Sequence, residues 1–332
     1  MSKETAFKAL DFAISKSKEK LEIAYFGGEP LLEYELLQSI SNKAKKECEK
    51  RGLKLVQSIT TNGSLLDESR LLWFKKEDFF INLSIDGNEK MHNTHRLYAD
   101  KKGSFADVKR ALELLVKHYE PKRFKTITVV TPSNIEHLQE SVEFLHTISN
   151  KSKIILSIDY FNNWSKHSKI YEEIFYELGK YVINSFKKGD IIDLEPFSSK
   201  ILMQIKNKNQ ICQFGEFKYA ISPRGTIYPC ERLIGNDNKT LSIGDVFNGI
   251  DYSKWQEIIQ NRGNKNSECR ECEYKNRCNN SCGCTNYYLT GDIAKTDGVV
   301  CFFEKLTIDV SDFIATVLYK QNNNFFIDKY YK

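Results

Sequence analysis

Eight of the nine cysteines lie between Cys212 and Cys301, and only Cys48 stands outside that window. Five of them, Cys269, Cys272, Cys278, Cys282 and Cys284, follow one another closely in a stretch with few long apolar runs. Such a segment cannot fold on hydrophobic burial alone, so cross-links or metal must supply the missing stability. The N-terminus, MSKETAFKALDFAIS, is a polar amphipathic pattern without the apolar core of a signal peptide, which predicts a cytoplasmic protein. Thiols stay reduced there, so clustered cysteines point to metal rather than disulfides. Zinc knuckles favour paired C-x2-C hooks and often histidine. Here there is one such hook, Cys269 and Cys272, and the nearest histidine is His167. Uneven all-thiolate spacing suits iron-sulfur clusters better, and eight thiolates would serve two four-iron clusters. A zinc-only site is the alternative.

The rest of the chain carries a different pattern. Its 332 residues are 41% apolar, with no run of eighteen apolar side chains, which predicts a globular chain of two domains and no membrane span. A net charge of +5 over this length is too weak to argue for nucleic acid or a lipid surface. Segments 21–26, 53–60, 79–86, 125–130 and 153–160 read as strands, and 4–17, 31–50, 68–76, 105–119, 135–148 and 168–187 as helices. This alternation predicts an α/β fold with a parallel sheet covered by helices, open or curled toward a barrel. Functional residues are then expected just past the strand C-termini. Four polar turns lie there: Gly27-Gly28-Glu29-Pro30, Thr60-Thr61-Asn62-Gly63, Ser84-Ile85-Asp86-Gly87 and Thr131-Pro132-Ser133-Asn134. Each alone is what a βα loop requires; together, with Glu29 wedged between glycines and proline as if buried, they suggest a small-molecule site. Past residue 200 the alternation stops. Residues 211–233 read as a β-hairpin turning at Pro223-Arg224-Gly225-Thr226, and 302–319 as a final helix before a frayed C-terminus at the asparagine run 322–324.

The cysteine window also carries a family resemblance. Cys212, Gly225, Cys230, Cys269, Cys272, Cys278, Cys282 and Cys301 fit the order C-x(9 to 15)-G-x4-C, gap, C-x2-C-x5-C-x3-C, gap, C. This resembles a SPASM domain, the auxiliary-cluster module of radical S-adenosylmethionine (SAM) enzymes that modify peptides and proteins. Upstream, FGGEPLL (26–32), TTNGSLL and NLSIDG resemble successive strand-end elements of the same family. The resemblance runs from residue 1 to about 320. It implies a partial, incomplete TIM-like parallel (β/α) barrel over 1–200, a small iron-sulfur SPASM domain with a β-hairpin and C-terminal helix over 201–320, and a tail over 321–332. It also implies that Cys212, Cys230 and Cys282 hold a first auxiliary 4Fe-4S cluster. Cys284 is the candidate fourth ligand, in place of the family's extra upstream cysteine. Cys269, Cys272, Cys278 and Cys301 would hold a second. Gly27, Gly28, Glu29 and Pro30 would grip the ammonium of SAM's methionine part. Thr61, Asn62, Ser84 and Asp86 would continue the SAM site, and Arg96 of HNTHR would take the carboxylate.

One family element has no counterpart. The C-x3-C-x2-C loop that binds the radical-generating 4Fe-4S cluster does not occur, and Cys48 sits alone within a helix. The expectation is a peptide maturase that abstracts hydrogen from a ribosomal peptide by a 5′-deoxyadenosyl radical, represented by an N-terminally truncated chain that cannot itself make the radical. SAM and a third cluster would belong to the full-length form only, and a flavodoxin or ferredoxin would be the reductant. Two alternatives stand beside it: a non-catalytic iron-sulfur protein that binds peptide or transfers electrons, and an anaerobic sulfatase-maturase-like enzyme. Sulfatase maturases place an aspartate after the cysteine of YPC as a base; here Glu231 follows Cys230. It is a candidate catalytic base that is equally readable as a surface residue.

Overall fold

The structure is a computed structural model that describes the chain except residues 150, 166–167, 207–211, 213 and 264. His167, and Ile211 and Gln213 at the start of the expected hairpin, therefore lie outside the described residues.

The first half builds from strict alternation. In β3 (Phe79–Ser84), Phe79, Ile81 and Leu83 are buried while Phe80, Asn82 and Ser84 face the other way, the period of a pleated strand. Its neighbours follow the same rule: β1 (Lys20–Tyr25), β2 (Lys54–Thr61), β4 (Phe124–Val130), β5 (Lys153–Ile158) and the short β6 (Leu194–Glu195). All pair in parallel and in sequence order, β1 to β6. Helices α1 (Lys3–Lys16), α2 (Tyr34–Arg51), α3 (Glu68–Lys76), α4 (Glu89–Asn93), α5 (Phe105–His118), α6 (Leu138–Ile148), α7 (Ser168–Lys187) and α8 (Phe197–Lys206) accompany them. Caps set their starts: Ser2, Asp67 and Asn88 side chains accept the Thr5, Arg70 and Met91 amides. One face of the sheet joins the main apolar core through Ile59, Ile81, Leu83, Val130 and Ile154. The opposite face is mixed, carrying Ser58, Thr60, Asn82, Ser84 and Lys125 beside Phe80, Ile127 and Val129, and the Asn82 amide donates to Thr60 Oγ1 at 3.1 Å. A sequentially wound parallel sheet of this kind is the wall of an open barrel, and its C-terminal rim is where a site belongs.

The second half is small and antiparallel. Strands β7 (Ala220–Ile221), β8 (Thr226–Tyr228), β9 (Gly244–Asp245) and β10 (Gly249–Ile250) form one sheet in the order β10-β9-β8-β7. The expected hairpin is its β7–β8 corner. Helices α9 (Tyr252–Asn261) and α10 (Gly283–Thr290) follow. A separate core of Phe214, Ile227, Tyr228, Leu233, Ile243 and Ile258 holds this half, with Phe12 of α1 packed against it. The Phe12 ring meets Tyr219 edge-on at 5.5 Å.

Two features depart from the sequence expectation. Helix α11 (Gly298–Lys320) follows the cysteine-rich stretch in sequence, yet Phe303, Leu306, Val310, Ile314 and Leu318 belong to the core of the first half. The C-terminus is not frayed: α12 (Asn324–Tyr330) is capped by Asn323 Oδ1 accepting the Phe326 amide, and Phe326 is fully buried against Phe186.

Candidate functional site

The rim of the parallel sheet is organised by two carboxylates. Glu29 Oε1 accepts from the Leu31 amide at 3.0 Å and from Thr61 Oγ1 at 2.8 Å, and Oε2 accepts from the Asn62 amide at 2.8 Å. It thus ties the loop after β1 to the end of β2. Glu29 is half-buried rather than buried, and Gly27 and Gly28 beside it are exposed, with open space where a Cβ would stand. A ligand can approach this backbone closely.

Asp86 is the second carboxylate. It is 1% exposed and accepts from Arg96 Nε at 2.7 Å, Arg96 Nη2 at 2.9 Å and the Val129 amide at 2.8 Å. This pairing changes the expectation for Arg96: its fork is engaged by Asp86, which leaves the Nη1 edge for any ligand carboxylate. Below the pair, the Asp86 amide donates to His92 Nδ1 at 3.2 Å, and His92 Nε2 lies 3.0 Å from Ser104 Oγ. Burial pushes His92 down to about 4, with Asp86 opposing, so at neutral pH it is an uncharged brace. Sequence reasoning passed over His92 and also His95, whose Nε2 lies 2.9 Å from Thr131 Oγ1 and 2.8 Å from Ser133 Oγ. The HNTHR motif held both, but only the fold brings them to the rim.

The thiols sort into two groups. Cys282 Sγ is 3.5 Å from Cys284 Sγ, and Cys284 hydrogen-bonds Cys230 as well. Hydrogen bonds from Cys284 pull Cys282 down to about 5 and lower Cys230, while the same bonds and burial push Cys284 up. Cys212 shares this neighbourhood: burial raises its thiol and the charges of Cys282 and Cys230 add to the effect. In the other group, burial raises Cys301, whose thiol neighbours are Cys269 and Cys272. Burial, then Glu304, pushes Cys278 up to about 12, and Cys301 adds to it. Among the described residues no three His, Cys, Asp or Glu side chains close on one point as the ligands of a single ion would. All eight cysteines of this segment are free thiols, the donor type of iron-sulfur clusters.

Tyr160 lies just past β5, and its phenol is pushed up by burial, then by Glu304, Cys282 and Cys278. Beside it a cavity of about 450 Å³ opens between the 160–165 loop and the start of α11, lined by Trp164, Asp297 and Phe302 among others. Glu231, next to Cys230, pairs with Lys218 Nζ at 2.9 Å. Burial raises its carboxyl, but the Lys218 hydrogen bond and charge outweigh that and leave it lowered.

Residues 1–145 match the family model for the radical SAM superfamily, and residues 212–273 match SPASM, the iron-sulfur cluster-binding domain. The chain carries a radical SAM domain and a SPASM domain. Relatives of this radical SAM/SPASM chain include the cysteine-type anaerobic sulfatase-maturating enzyme of Clostridium novyi, 23% identical over 93% of this chain and 87% of that one. The radical SAM cyclopropyl synthase TigE of Paramaledivibacter caminithermalis is 22% identical over 96% of this chain and 64% of that one. Among solved structures, native anSMEcpe with bound AdoMet and Kp18Cys peptide superposes with a TM-score of 0.79 at 21% identity, covering 96% of this chain and 91% of that one. Streptococcus suis SuiB bound to S-adenosylmethionine reaches 0.56 at 18% identity, over 89% and 70%. Among the described residues of this radical SAM/SPASM protein, no helix is long and apolar enough to cross a membrane.

Proposed function

We propose that this chain is the SAM-binding and auxiliary-cluster body of a peptide maturase. The observation that carries the reading is the strand-end rim, where Glu29 ties the loop after β1 to the end of β2 beside the open backbone of Gly27 and Gly28. In this reading Gly27, Gly28, Glu29 and Pro30, with Thr61, Asn62 and Ser84, hold SAM, while Asp86 orients Arg96 so that its Nη1 edge meets the methionine carboxylate. Cys212, Cys230, Cys282 and Cys284 hold one 4Fe-4S cluster, and Cys269, Cys272, Cys278 and Cys301 the other. When bound, the clusters supply one-electron chemistry. The chain's own part is to seat a peptide side chain against the aromatic wall of the cavity formed by Tyr160, Trp164 and Phe302. SAM, when bound, would supply hydrogen-atom abstraction from a peptide carbon; if a peptide sulfur then joined that carbon as a thioether, the proton released would pass to solvent and the electron to an oxidised auxiliary cluster. The reducing cytoplasm, with flavodoxin or ferredoxin as electron source, belongs to the same proposal.

None of the nine cysteines forms C-x3-C-x2-C, so the radical-generating cluster is held, in this reading, by cysteines outside these 332 residues. A chain lengthened through the upstream reading frame is expected to bind about twelve irons against about eight for this chain, from four per cluster. Given SAM, dithionite and a cysteine-containing peptide, it should release 5′-deoxyadenosine and shift the peptide by the loss of two hydrogens. A lengthened chain with no third cluster and no 5′-deoxyadenosine would overturn the reading in favour of electron transfer or peptide binding.

A sulfatase-maturase-like activity is the second reading, favoured by the Clostridium relatives and by a carboxylate directly after Cys230. Against it stands the Lys218 pairing, which makes Glu231 a weak base. Unchanged turnover in Glu231→Gln would remove that carboxylate from the chemistry.

A further inference from the structure

The most deeply buried ion pair of the described residues sits where the two halves join. Lys200 on α8 and Glu304 on α11 meet at 2.7 Å, with side chains 4% and 11% exposed. Burying two charges is costly, and the cost is recovered only when further hydrogen bonds satisfy both partners. Here the further bonds are specific. Lys200 Nζ donates to the Arg277 carbonyl at 2.5 Å, and Glu304 Oε2 accepts from the Asn279 amide at 2.7 Å. Those two peptide groups stand immediately before and after Cys278. The Arg277 guanidinium is fixed as well, donating from Nη1 and Nη2 to the two Asp312 oxygens at 2.6 Å each. Glu304 lies three residues after Cys301, on the same face of α11.

We propose that Lys200 and Glu304 are positioning residues for Cys278, holding its backbone from both sides so that its thiol meets the cluster shared with Cys301. The proposal rests on the reading of Cys269, Cys272, Cys278 and Cys301 as cluster ligands. It makes closure of that cluster depend on a residue of the parallel-sheet half, because Lys200 lies on α8. A pair that only docked the two halves could be replaced by apolar side chains without consequence for iron.

The test compares the whole reconstituted chain with C278A, K200M and the neutral double variant K200M/E304M. Iron per chain and the electron paramagnetic resonance line shape of the reduced protein are read, beside the thermal midpoint of the apo chain. K200M alone leaves Glu304 buried without its partner and is expected to lower the thermal midpoint; the double variant removes the stranded charge and recovers most of that loss, short of the two backbone hydrogen bonds. Positioning predicts that the double variant, although stable, reproduces the iron loss and altered line shape of C278A. Wild-type iron and line shape in the stable double variant would overturn the proposal while leaving the ligand reading intact. A C278A protein indistinguishable from wild type would instead overturn the ligand reading, and the proposal with it.

Discussion

Asp86 shows how one side chain can organise a rim. It is buried, receives three hydrogen bonds and aims the Arg96 guanidinium. Removing its charge while keeping its shape strands Arg96, and breaking a buried pair of this kind typically costs about 3–5 kcal/mol. Asp86→Asn should therefore lower the urea midpoint by a corresponding amount, whereas a loss under about 1 kcal/mol would mean that solvent already screens the pair. His92 adds a pH dependence. Burial holds it near 4, with Asp86 opposing and Arg96 assisting, while in the unfolded chain it takes a proton near pH 6.5. Its folded value is depressed, so the unfolded chain binds the extra proton between those limits. Stability present above about pH 6.5 is lost as pH falls toward 4, by up to about 3 kcal/mol. Urea midpoints measured from pH 7 to 4.5 should fall less steeply in His92→Gln than in wild type; parallel curves would exclude His92 as the source.

At the level of elements, the loop after β3 is fitted to α6. Gly87 has φ +121°, and a Cβ there would stand 2.1 Å from Ser141 Cβ. Gly87→Ala should cost about 3 kcal/mol or more, combining backbone strain with overpacking, and adding Ser141→Gly should recover only the steric part. Calorimetric midpoints of the single and double variants measure the split. Most elements were readable from periodicity, since alternating runs such as Phe79, Ile81 and Leu83 allow no other register. Two were not. β6 is only Leu194–Glu195, too short to show a period. The asparagines at 322–324 look like a loosening end, yet Asn323 caps α12, and only the tertiary contact of Phe326 with Phe186 reveals why. Phe326→Ala should destabilise the chain by about 3–5 kcal/mol; a change within 0.5 kcal/mol, the range of a surface site, would mean the helix is detached in solution.

Across the whole molecule, the two halves draw on different sources of stability. The parallel sheet has a large apolar core, whereas the half from Phe214 onward has a small one surrounding its thiols. Chelating the iron should therefore expose residues 265–285 to protease and speed their amide exchange, while β2 to β5 keep their protection. Equal loss in both halves would show a single cooperative unit. The concentration of thiols between Cys212 and Cys301 was legible because cysteine spacing is a local pattern. The Asp86–Arg96 fork and the Lys200–Glu304 bolt were not, because their partners are separated by 10 and 104 residues and meet only after folding. The course of α11 has a practical consequence. A chimera that exchanged everything after residue 200 would carry away Phe303, Val310 and Ile314, and the host would lose one wall of its own core. Because α11 also carries Cys301, shuffling this cysteine-rich module between proteins requires the helix to travel with it and the host core to be matched to its apolar face.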